Sequence, residues 1–155
     1  KTLNGLAKAI PGVPVLVVTC EAQPEVIEEA RVRDVASYVL PGQSAGIGLS
    51  IASAIPVIQH WAGCFICLAD MPYIEASTYQ LLYRYASLSK PSILAPTFAE
   101  QRGHPVYFDK KHFASLASLS GDHGAAKLID KRELKLISVT DPGVIQDIDH
   151  PDDHL

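Results

Sequence analysis

Apolar and polar residues alternate along the chain in blocks that predict strands and helices in turn. Six stretches rich in β-branched and aliphatic residues predict strands, at 13–20, 36–40, 64–69, 92–98, 106–108 and 134–139. Six others, with apolar residues three or four positions apart, predict helices at 1–9, 24–30, 47–58, 75–86, 109–117 and 122–129. Alternation of this kind is typical of an α/β protein with a mostly parallel central sheet and helices on both faces. We therefore expect a single domain over 1–155.

The sequence begins inside a helical pattern. Lys1 is its first residue, and Leu3, Leu6 and Ile10 already share one face of the predicted helix. An α/β domain normally has a strand and a loop ahead of such a helix. We expect that an N-terminal strand and its loop are missing from this sequence.

A carboxylate follows the apolar stretch 64–69 directly, and Pro72 comes two positions later. Because that stretch is apolar throughout, it predicts a strand covered on both faces, with Asp70 at its carboxyl end. Ligands of open α/β sheets bind at that edge, and Mg²⁺ takes one or two carboxylates together with substrate phosphates. Asp70 is therefore a candidate magnesium ligand, and the alternative that it caps the next helix stays open.

The composition narrows the class of protein. Hydrophobic residues make up 48% and charged residues 19% of the chain, which is typical of a globular protein. The 13 basic and 17 acidic residues give a net charge of −4 without a dense basic run, which disfavours nucleic acid as a partner. No apolar run reaches the ~18 residues of a membrane span, and no signal peptide opens the sequence. We expect a cytoplasmic protein with no membrane partner.

Three cysteines, an odd number, argue against a disulfide framework. Cys64 and Cys67 form a C-x-x-C pattern, but residues three apart on a strand point to opposite faces. We therefore expect buried core thiols rather than a metal or redox site.

Two glycine-rich stretches precede predicted helices. Gly46 and Gly48 allow close backbone approach, and the helix start that follows offers free N–H groups to an anion or a base edge. This stretch has the spacing of neither the P-loop nor the dinucleotide-binding fingerprint. The second stretch, Gly121-Asp122-His123-Gly124, places a carboxylate and an imidazole at another helix start. A turn followed by a helix cap is the alternative interpretation of both.

Two further polar stretches carry charge. Arg102-Gly103-His104-Pro105 joins a cation, a flexible residue and an imidazole, which suits either a phosphate site or a plain hairpin tip. Asp147 and Asp149 flank Ile148 and share one face of an extended chain. Two such carboxylates repel each other unless a cation or hydrogen-bond donors relieve them, so either is a candidate second metal ligand. A plain acidic surface is the alternative.

Five of these stretches follow one another in order: Gly46-x-x-x-Ser50-Ile51, Ala69-Asp70-Met71-Pro72, Arg102-Gly103-His104-Pro105-Val106, Gly121-Asp122-x-Gly124-Ala125 and Asp147-Ile148-Asp149-x-Pro151-x-Asp153. In that order they resemble the MobA-like nucleotidyltransferases, and most closely the molybdenum cofactor cytidylyltransferase branch. The guanylyl branch usually has Gly-Pro-Leu-x-Gly at the first motif and lacks the Gly-His-Pro loop. The resemblance spans nearly the whole sequence.

The resemblance implies a Rossmann-like nucleotidyltransferase fold and a Mg²⁺-dependent reaction. In that reaction CMP from CTP is joined to the terminal phosphate of molybdopterin, and pyrophosphate is released. Asp70 matches the family's metal-binding aspartate and is the expected catalytic residue, with Asp149 as the expected second metal ligand. The expected partners are CTP or another NTP and a molybdopterin-type phosphate, with transient docking to a molybdoenzyme.

The resemblance also assigns residues to the two substrates. Those on the nucleotide side are Gly46, Ser50 and Ala69, and those on the molybdopterin side are Arg102, Gly103, His104 and Asp122.

Several features depart from the family's pattern. The glycine-rich signature that supplies Arg and Lys to the triphosphate is absent from these residues, and Leu40 stands where relatives often have Asn. Ala126 stands where Arg is usual, and the adjacent Lys127 offers a point charge instead of a fork. His150 replaces the usual Thr. Guanylyl transfer, nucleotidyl transfer to a sugar phosphate, and non-catalytic carriage of molybdopterin therefore remain as alternatives.

Overall fold

In a computed structural model of the chain, the residues described are 2–43 and 46–148. The strands within them are β1 Leu16–Cys20, β2 Ala36–Leu40, β3 Gly63–Ile66, β4 Ile93–Phe98, β5 Gln101–Arg102, β6 Val106–Asp109 and β7 Leu134–Ser138. The α-helices are α1 Thr2–Ala9, α2 Pro24–Val32, α3 Ile47–Ala54, α4 Ala76–Ser89 and α5 Phe113–Ala117. Short 3₁₀ helices form at Lys110–His112, Ala125–Leu128 and Pro142–Ile145.

These elements group into two compact units. Among the described residues, the first unit takes 2–13, 62–109 and 130–148, and the second takes 14–43, 46–61 and 110–129. The α/β class predicted from the sequence is confirmed, whereas the prediction of a single domain over 1–155 stays a prediction.

The first unit contains a mixed sheet of five strands. Its path runs β3, β6, β4, β5, and β7 pairs with β4 beside it. β6 is antiparallel to both of its neighbours and β5 is antiparallel to β4, while β7 is parallel to β4. The expected mostly parallel sheet therefore needs correction in this unit.

The length of one connection explains why β5 and β6 are antiparallel to β4. Residues 99–105 join β4 to β6, too few for the helical crossover that a parallel pair requires. Instead the chain reverses at Ala99 and Glu100, whose φ angles of 48° and 64° are those of a two-residue type I′ hairpin turn.

The core of the first unit fixes the chain on either side of the predicted site. Buried side chains of α1, the loop before α4, α4 itself and the 3₁₀ helix Pro142–Ile145 pack together in one cluster: Leu6, Ala9, Met71, Ile74, Tyr79 and Val144. Met71 directly follows Asp70 and is only 3% exposed, so the backbone is anchored next to an exposed carboxylate.

One carboxylate lies within this unit rather than on its surface. Asp141 is 3% exposed. Among the described residues, it is the one Asp, Glu, Lys or Arg whose side chain is buried. Its Oδ2 accepts hydrogen bonds from the Glu75 N–H at 2.8 Å and the Thr78 hydroxyl at 2.7 Å. Its Oδ1 accepts one from the Gly143 N–H at 2.8 Å. Asp141 therefore joins the start of α4 to the 3₁₀ helix Pro142–Ile145.

The second unit is built on a parallel pair, β1 and β2, in register from Leu16 opposite Ala36 to Cys20 opposite Leu40. Helix α2 joins the two strands, and β2 has the predicted bounds. α3 ends at Ala54 because Pro56 lacks the N–H that a further turn needs.

Two further helices of the second unit, besides α3, are shorter than predicted. The stretch 109–117 begins with a 3₁₀ turn and is α-helical only over Phe113–Ala117. The stretch 122–129 forms only the 3₁₀ helix Ala125–Leu128, with Gly124 at its N-cap position, so Asp122 is not a helix cap.

The C-x-x-C pattern lies in a desolvated part of the first unit. Burial raises the pKa of both Cys64 and Cys67 to about 12, and for Cys67 the neighbouring Cys64 adds to the shift. Because the thiolate is the nucleophile and the metal ligand, both thiols are almost wholly in their inert form near neutral pH.

We predict that iodoacetamide at pH 8 alkylates Cys64 and Cys67 far more slowly in the native protein than in 6 M guanidinium chloride. The physical reason is the raised pKa, which leaves very little thiolate until the chain unfolds. Peptide mass spectrometry over a time course measures each site separately. Native labelling of either cysteine at the denatured rate would contradict the burial described above.

Candidate functional site

Asp70 lies four residues beyond the end of β3, with its side chain exposed. Its backbone is held on both sides. The Thr2 hydroxyl donates to the carbonyl of Ala69 at 2.8 Å, and the Ile148 N–H donates to the carbonyl of Asp70 at 2.9 Å. The carboxylate therefore projects from a fixed backbone and is available to a ligand.

The Arg102–Pro105 loop is held just as closely. The Gly103 N–H donates to the Pro96 carbonyl at 2.9 Å, and the His104 N–H donates to the Val144 carbonyl at 2.8 Å. A Cβ on Gly103 would collide with that same Val144 carbonyl, so only glycine fits here. The His104–Pro105 peptide bond is cis.

His104 is the most informative side chain of this loop. Its Nδ1 atom is buried and has no hydrogen-bond partner among the described residues. Burial lowers the pKa of His104, and the positive charge of Arg102 lowers it further, while Asp70 and Asp147 act in the opposite direction. The net shift is downward, so the imidazole is neutral at pH 7 with a ring nitrogen that still lacks a partner.

The charges that act on His104 show which predicted residues come together. Asp70, Arg102 and Asp147 come from three separate segments, and all three act electrostatically on one imidazole. The Ile148–Asp70 hydrogen bond brings the residue after Asp147 against the Asp70 backbone. The first unit therefore gathers two carboxylates, one cation and one neutral imidazole.

This donor set fits a hard divalent cation. Mg²⁺ commonly takes one or two protein carboxylates and completes its shell with water and substrate phosphates, so Asp70 and Asp147 suffice in number. No group of three or more His, Cys, Asp or Glu side chains able to hold a metal occurs within 2–43 and 46–148. Asp149, the expected second ligand, lies outside the described residues, as do Pro151 and Asp153.

The second unit brings two of the predicted motifs into direct contact. The Gly48 N–H donates to the Gly121 carbonyl at 2.8 Å. Gly46 has a φ of 101°, and a Cβ there would collide with the Gly121 carbonyl and meet the Asp122 Oδ1 at 2.5 Å. A Cβ on Gly48 would lie 2.5 Å from the His123 carbonyl oxygen. Both glycines are therefore required by close backbone approach.

Ser50 and Asp122 hold different places in this contact. The Ser50 hydroxyl donates to the Gly46 carbonyl at 3.3 Å, so its proton is used within the first turn of α3. The carboxylate of Asp122 lies beside Gly46, as the position of its Oδ1 atom shows. The second unit thus groups Gly46, Ser50 and Asp122, three residues that the resemblance divides between the two substrates.

Sequence reasoning missed two contributors to the first unit's site. The carbonyl of Val144 is a backbone group, and a buried valine carries no signal of the bond it makes to His104. Asp141 was overlooked because a single aspartate before Pro-Gly resembles an ordinary turn.

The chain belongs to the MobA-like NTP transferase domain family, whose model matches residues 2–136. It is 26% identical over 122 residues to the purine catabolism protein PucB of Bacillus subtilis strain 168. That match covers 76% of this chain and 58% of PucB, so the chain spans less than two thirds of that relative.

Solved structures agree with the family. Rv0371c from Mycobacterium tuberculosis H37Rv superimposes with a TM-score of 0.82 at 22% identity, over 99% of this chain and 79% of that one. A manganese complex of Rv0371c gives 0.77 at 23% identity, over 99% and 80%. A homologue from Mycobacterium sp. strain JC1 gives 0.81 at 28% identity, over 99% and 77%. The α/β nucleotidyltransferase fold is thereby confirmed.

No helix within 2–43 and 46–148 combines the length and the apolar character needed to cross a membrane.

We predict that Gly46→Ala lowers the free energy of unfolding by about 2 kcal/mol or more, because left-handed backbone and a collision with Gly121 both act against a side chain. Gly124→Ala is the matched control. Its φ of −68° and ψ of 174° suit alanine, and the new Cβ would lie 3.4 Å from Ile47 Cγ2. Urea unfolding of the two variants measures the difference. Equal destabilisation by both substitutions would rule out the close approach at Gly46.

Proposed function

We propose that the protein is a Mg²⁺-dependent nucleotidyltransferase that joins CMP from CTP to the terminal phosphate of molybdopterin and releases pyrophosphate. The observation that carries this proposal is that Asp70, Asp147 and Arg102 all lie near enough to act electrostatically on His104, whose buried Nδ1 has no hydrogen-bond partner among the described residues. Membership of the MobA-like NTP transferase domain family supports the reaction class, and the branch-specific motifs support the two substrates.

In the proposed reaction, an oxygen of the molybdopterin phosphate attacks the α-phosphorus of CTP. A new phosphorus–oxygen bond forms, the bond from the α-phosphorus to the bridging oxygen of the β-phosphate breaks, and pyrophosphate leaves with that oxygen. A phosphate monoester is already largely anionic at neutral pH, so no strong general base is required. The protein's contribution is positioning and charge compensation.

Asp70 is the proposed metal ligand and catalytic residue. Its fixed backbone and exposed carboxylate suit that role, and Asp147 and Asp149 are the candidates for the second carboxylate. A bound divalent cation would offset the negative charge that develops on the phosphates during transfer. The manganese complex of Rv0371c supports a divalent ion in a protein of this fold.

The proposed phosphate contacts in the first unit come from Arg102 and His104. Arg102 offers the fork of N–H donors that phosphate oxygens accept. The buried Nδ1 of His104 still needs a partner, and a substrate group can supply one. Gly103 lets this loop approach the Val144 carbonyl closely. The Ala69 carbonyl accepts from the Thr2 hydroxyl, and this bond keeps the adjacent Asp70 in place.

The proposed nucleotide contacts in the second unit come from the segment Gly46–Ser50, in which the close approach of residues 120–123 leaves no room for a side chain at Gly46 or Gly48. The Asp122 carboxylate beside Gly46 accepts hydrogen bonds only, so it suits an amino group on a ring. Cytosine and the pterin both carry one, and carboxylates accept from the cytosine N4 amino group in other complexes. We assign Asp122 to such an amino group.

We predict that Asp70→Ala in the full-length protein lowers the rate of pyrophosphate release at least about a hundredfold while the protein stays folded. The side chain is exposed, so its loss leaves the core unchanged. Asp130→Ala is the control, since Asp130 is a surface carboxylate paired with Arg132 at 2.6 Å and has no assigned role. A coupled pyrophosphate assay and circular dichroism give the two readouts. Wild-type turnover by Asp70→Ala would refute the assignment.

We further predict that CTP outcompetes GTP and ATP when the three are mixed in equal amounts with molybdopterin as the acceptor. Mass spectrometry of the dinucleotide products measures the preference directly. A guanine or adenine product in excess would replace the cytidylyl assignment with another base. Product formed only with sugar phosphates would show that the acceptor is a sugar phosphate and not molybdopterin. Molybdopterin binding without any product would favour the alternative of a non-catalytic carrier.

A further inference from the structure

A single short segment, 143–148, makes backbone contacts with both loops of the first unit's site. The Val144 carbonyl accepts the His104 N–H, and the Ile148 N–H donates to the Asp70 carbonyl. A displacement of this segment would therefore disturb the backbone of both Asp70 and His104.

The start of this segment is tightly confined. Gly143 packs so closely on the backbone that a Cβ there would collide with the carbonyl of Tyr73 and come within 2.8 Å of the Ile74 nitrogen. Val144, the next residue, is fully buried. The start of the segment is therefore fixed against the backbone of Tyr73 and Ile74, three and four residues after Asp70.

Asp141 holds the segment in that position. Its Oδ1 takes the Gly143 N–H, while its Oδ2 takes the Glu75 N–H and the Thr78 hydroxyl at the start of α4. One buried carboxylate thus links the start of α4, which follows Asp70 in the sequence, to the segment 143–148, whose last residue bonds to the Asp70 carbonyl. The two carboxylate oxygens of Asp141 accept from donors on opposite sides. An asparagine has only one side-chain oxygen, so it can accept from the donors on one side only.

We propose that Asp141 is a positioning residue for the metal and phosphate site, acting through Gly143–Ile148 on Asp70 and His104. Asp141 itself touches neither of these residues in the contacts described. The inference rests on the proposed function for its catalytic consequence, whereas the structural link from Asp141 to the two loops stands on the hydrogen bonds alone.

The test compares Asp141→Asn with Thr78→Val in the full-length protein. Both variants disturb the same buried carboxylate, but Thr78→Val removes a donor only on the α4 side and leaves the Gly143 bond intact. A role confined to stability would make the two variants alike in every readout except the size of the thermal shift.

The first readout is amide hydrogen exchange followed by NMR. We expect the His104 and Ile148 amides to exchange about tenfold faster in Asp141→Asn than in wild type, and within twofold of wild type in Thr78→Val. The Val139 amide, which donates to the Thr97 carbonyl at 2.9 Å in the same unit, is the internal reference. Unchanged exchange at His104 and Ile148 in Asp141→Asn overturns the proposal.

The second readout is Mn²⁺ binding, measured by electron paramagnetic resonance of the free ion. We expect about tenfold weaker binding in Asp141→Asn and wild-type binding in Thr78→Val, in line with the loss that follows removal of residues supporting metal ligands. Equal weakening in both variants, or none in either, overturns the proposal. A wild type that releases no pyrophosphate, with exchange and Mn²⁺ binding as expected, counts against the proposed function alone.

Gly143→Ala keeps the proposal testable if Asp141→Asn does not fold. This substitution retains the carboxylate but forces the segment away from Tyr73. We expect the same faster exchange at His104 and Ile148 and the same weaker Mn²⁺ binding. Wild-type values in a folded Gly143→Ala variant overturn the proposal.

Discussion

A carboxylate can be removed from water only where hydrogen-bond donors replace the water it loses, and Asp141 meets that condition with three donors. The donors belong to the start of α4 and to the turn after Asp141, so the charge is satisfied only when these two parts of the chain meet. This contact fixes the backbone of Gly143 and Val144. The Val144 carbonyl in turn accepts the His104 N–H and so fixes the position of the His104 loop. The arrangement of the first unit's site therefore depends on this buried charge.

In each unit, considered by itself, backbone hydrogen bonds hold the chain beside an exposed carboxylate. The carbonyl of Asp70 and the amide of His104 are both engaged by the segment 143–148, while the Asp70 carboxylate is exposed. In the second unit the Gly48 amide is engaged by Gly121, and the Asp122 carboxylate lies beside it. A carboxylate on a fixed backbone can hold a cation with little reorganisation, which is what the proposed metal role of Asp70 requires.

Local patterns in the sequence predict much of this structure, and non-local pairing limits the rest. The strand predicted at 64–69 ends at Ile66, so Asp70 lies in a turn four residues beyond the strand rather than directly at its end. β2 follows from residue type and periodicity, which act over a few residues. The mixed sheet does not, although the absence of a helical pattern between 98 and 106 was a usable signal against a parallel pair. The role of Asp141 depends on partners 63 and 66 positions away, which no local pattern reveals.

The electrostatic balance around His104 bears on the proposed metal site. Burial and Arg102 together outweigh the opposite influence of Asp70 and Asp147, so the pKa of His104 falls and the imidazole is uncharged at neutral pH. A protonated imidazole would partly neutralise the two carboxylates and compete with a cation for them. Because the imidazole is neutral, it would not compete with a divalent ion for the two carboxylates, and under the proposed function the Arg102 guanidinium would contact the phosphates.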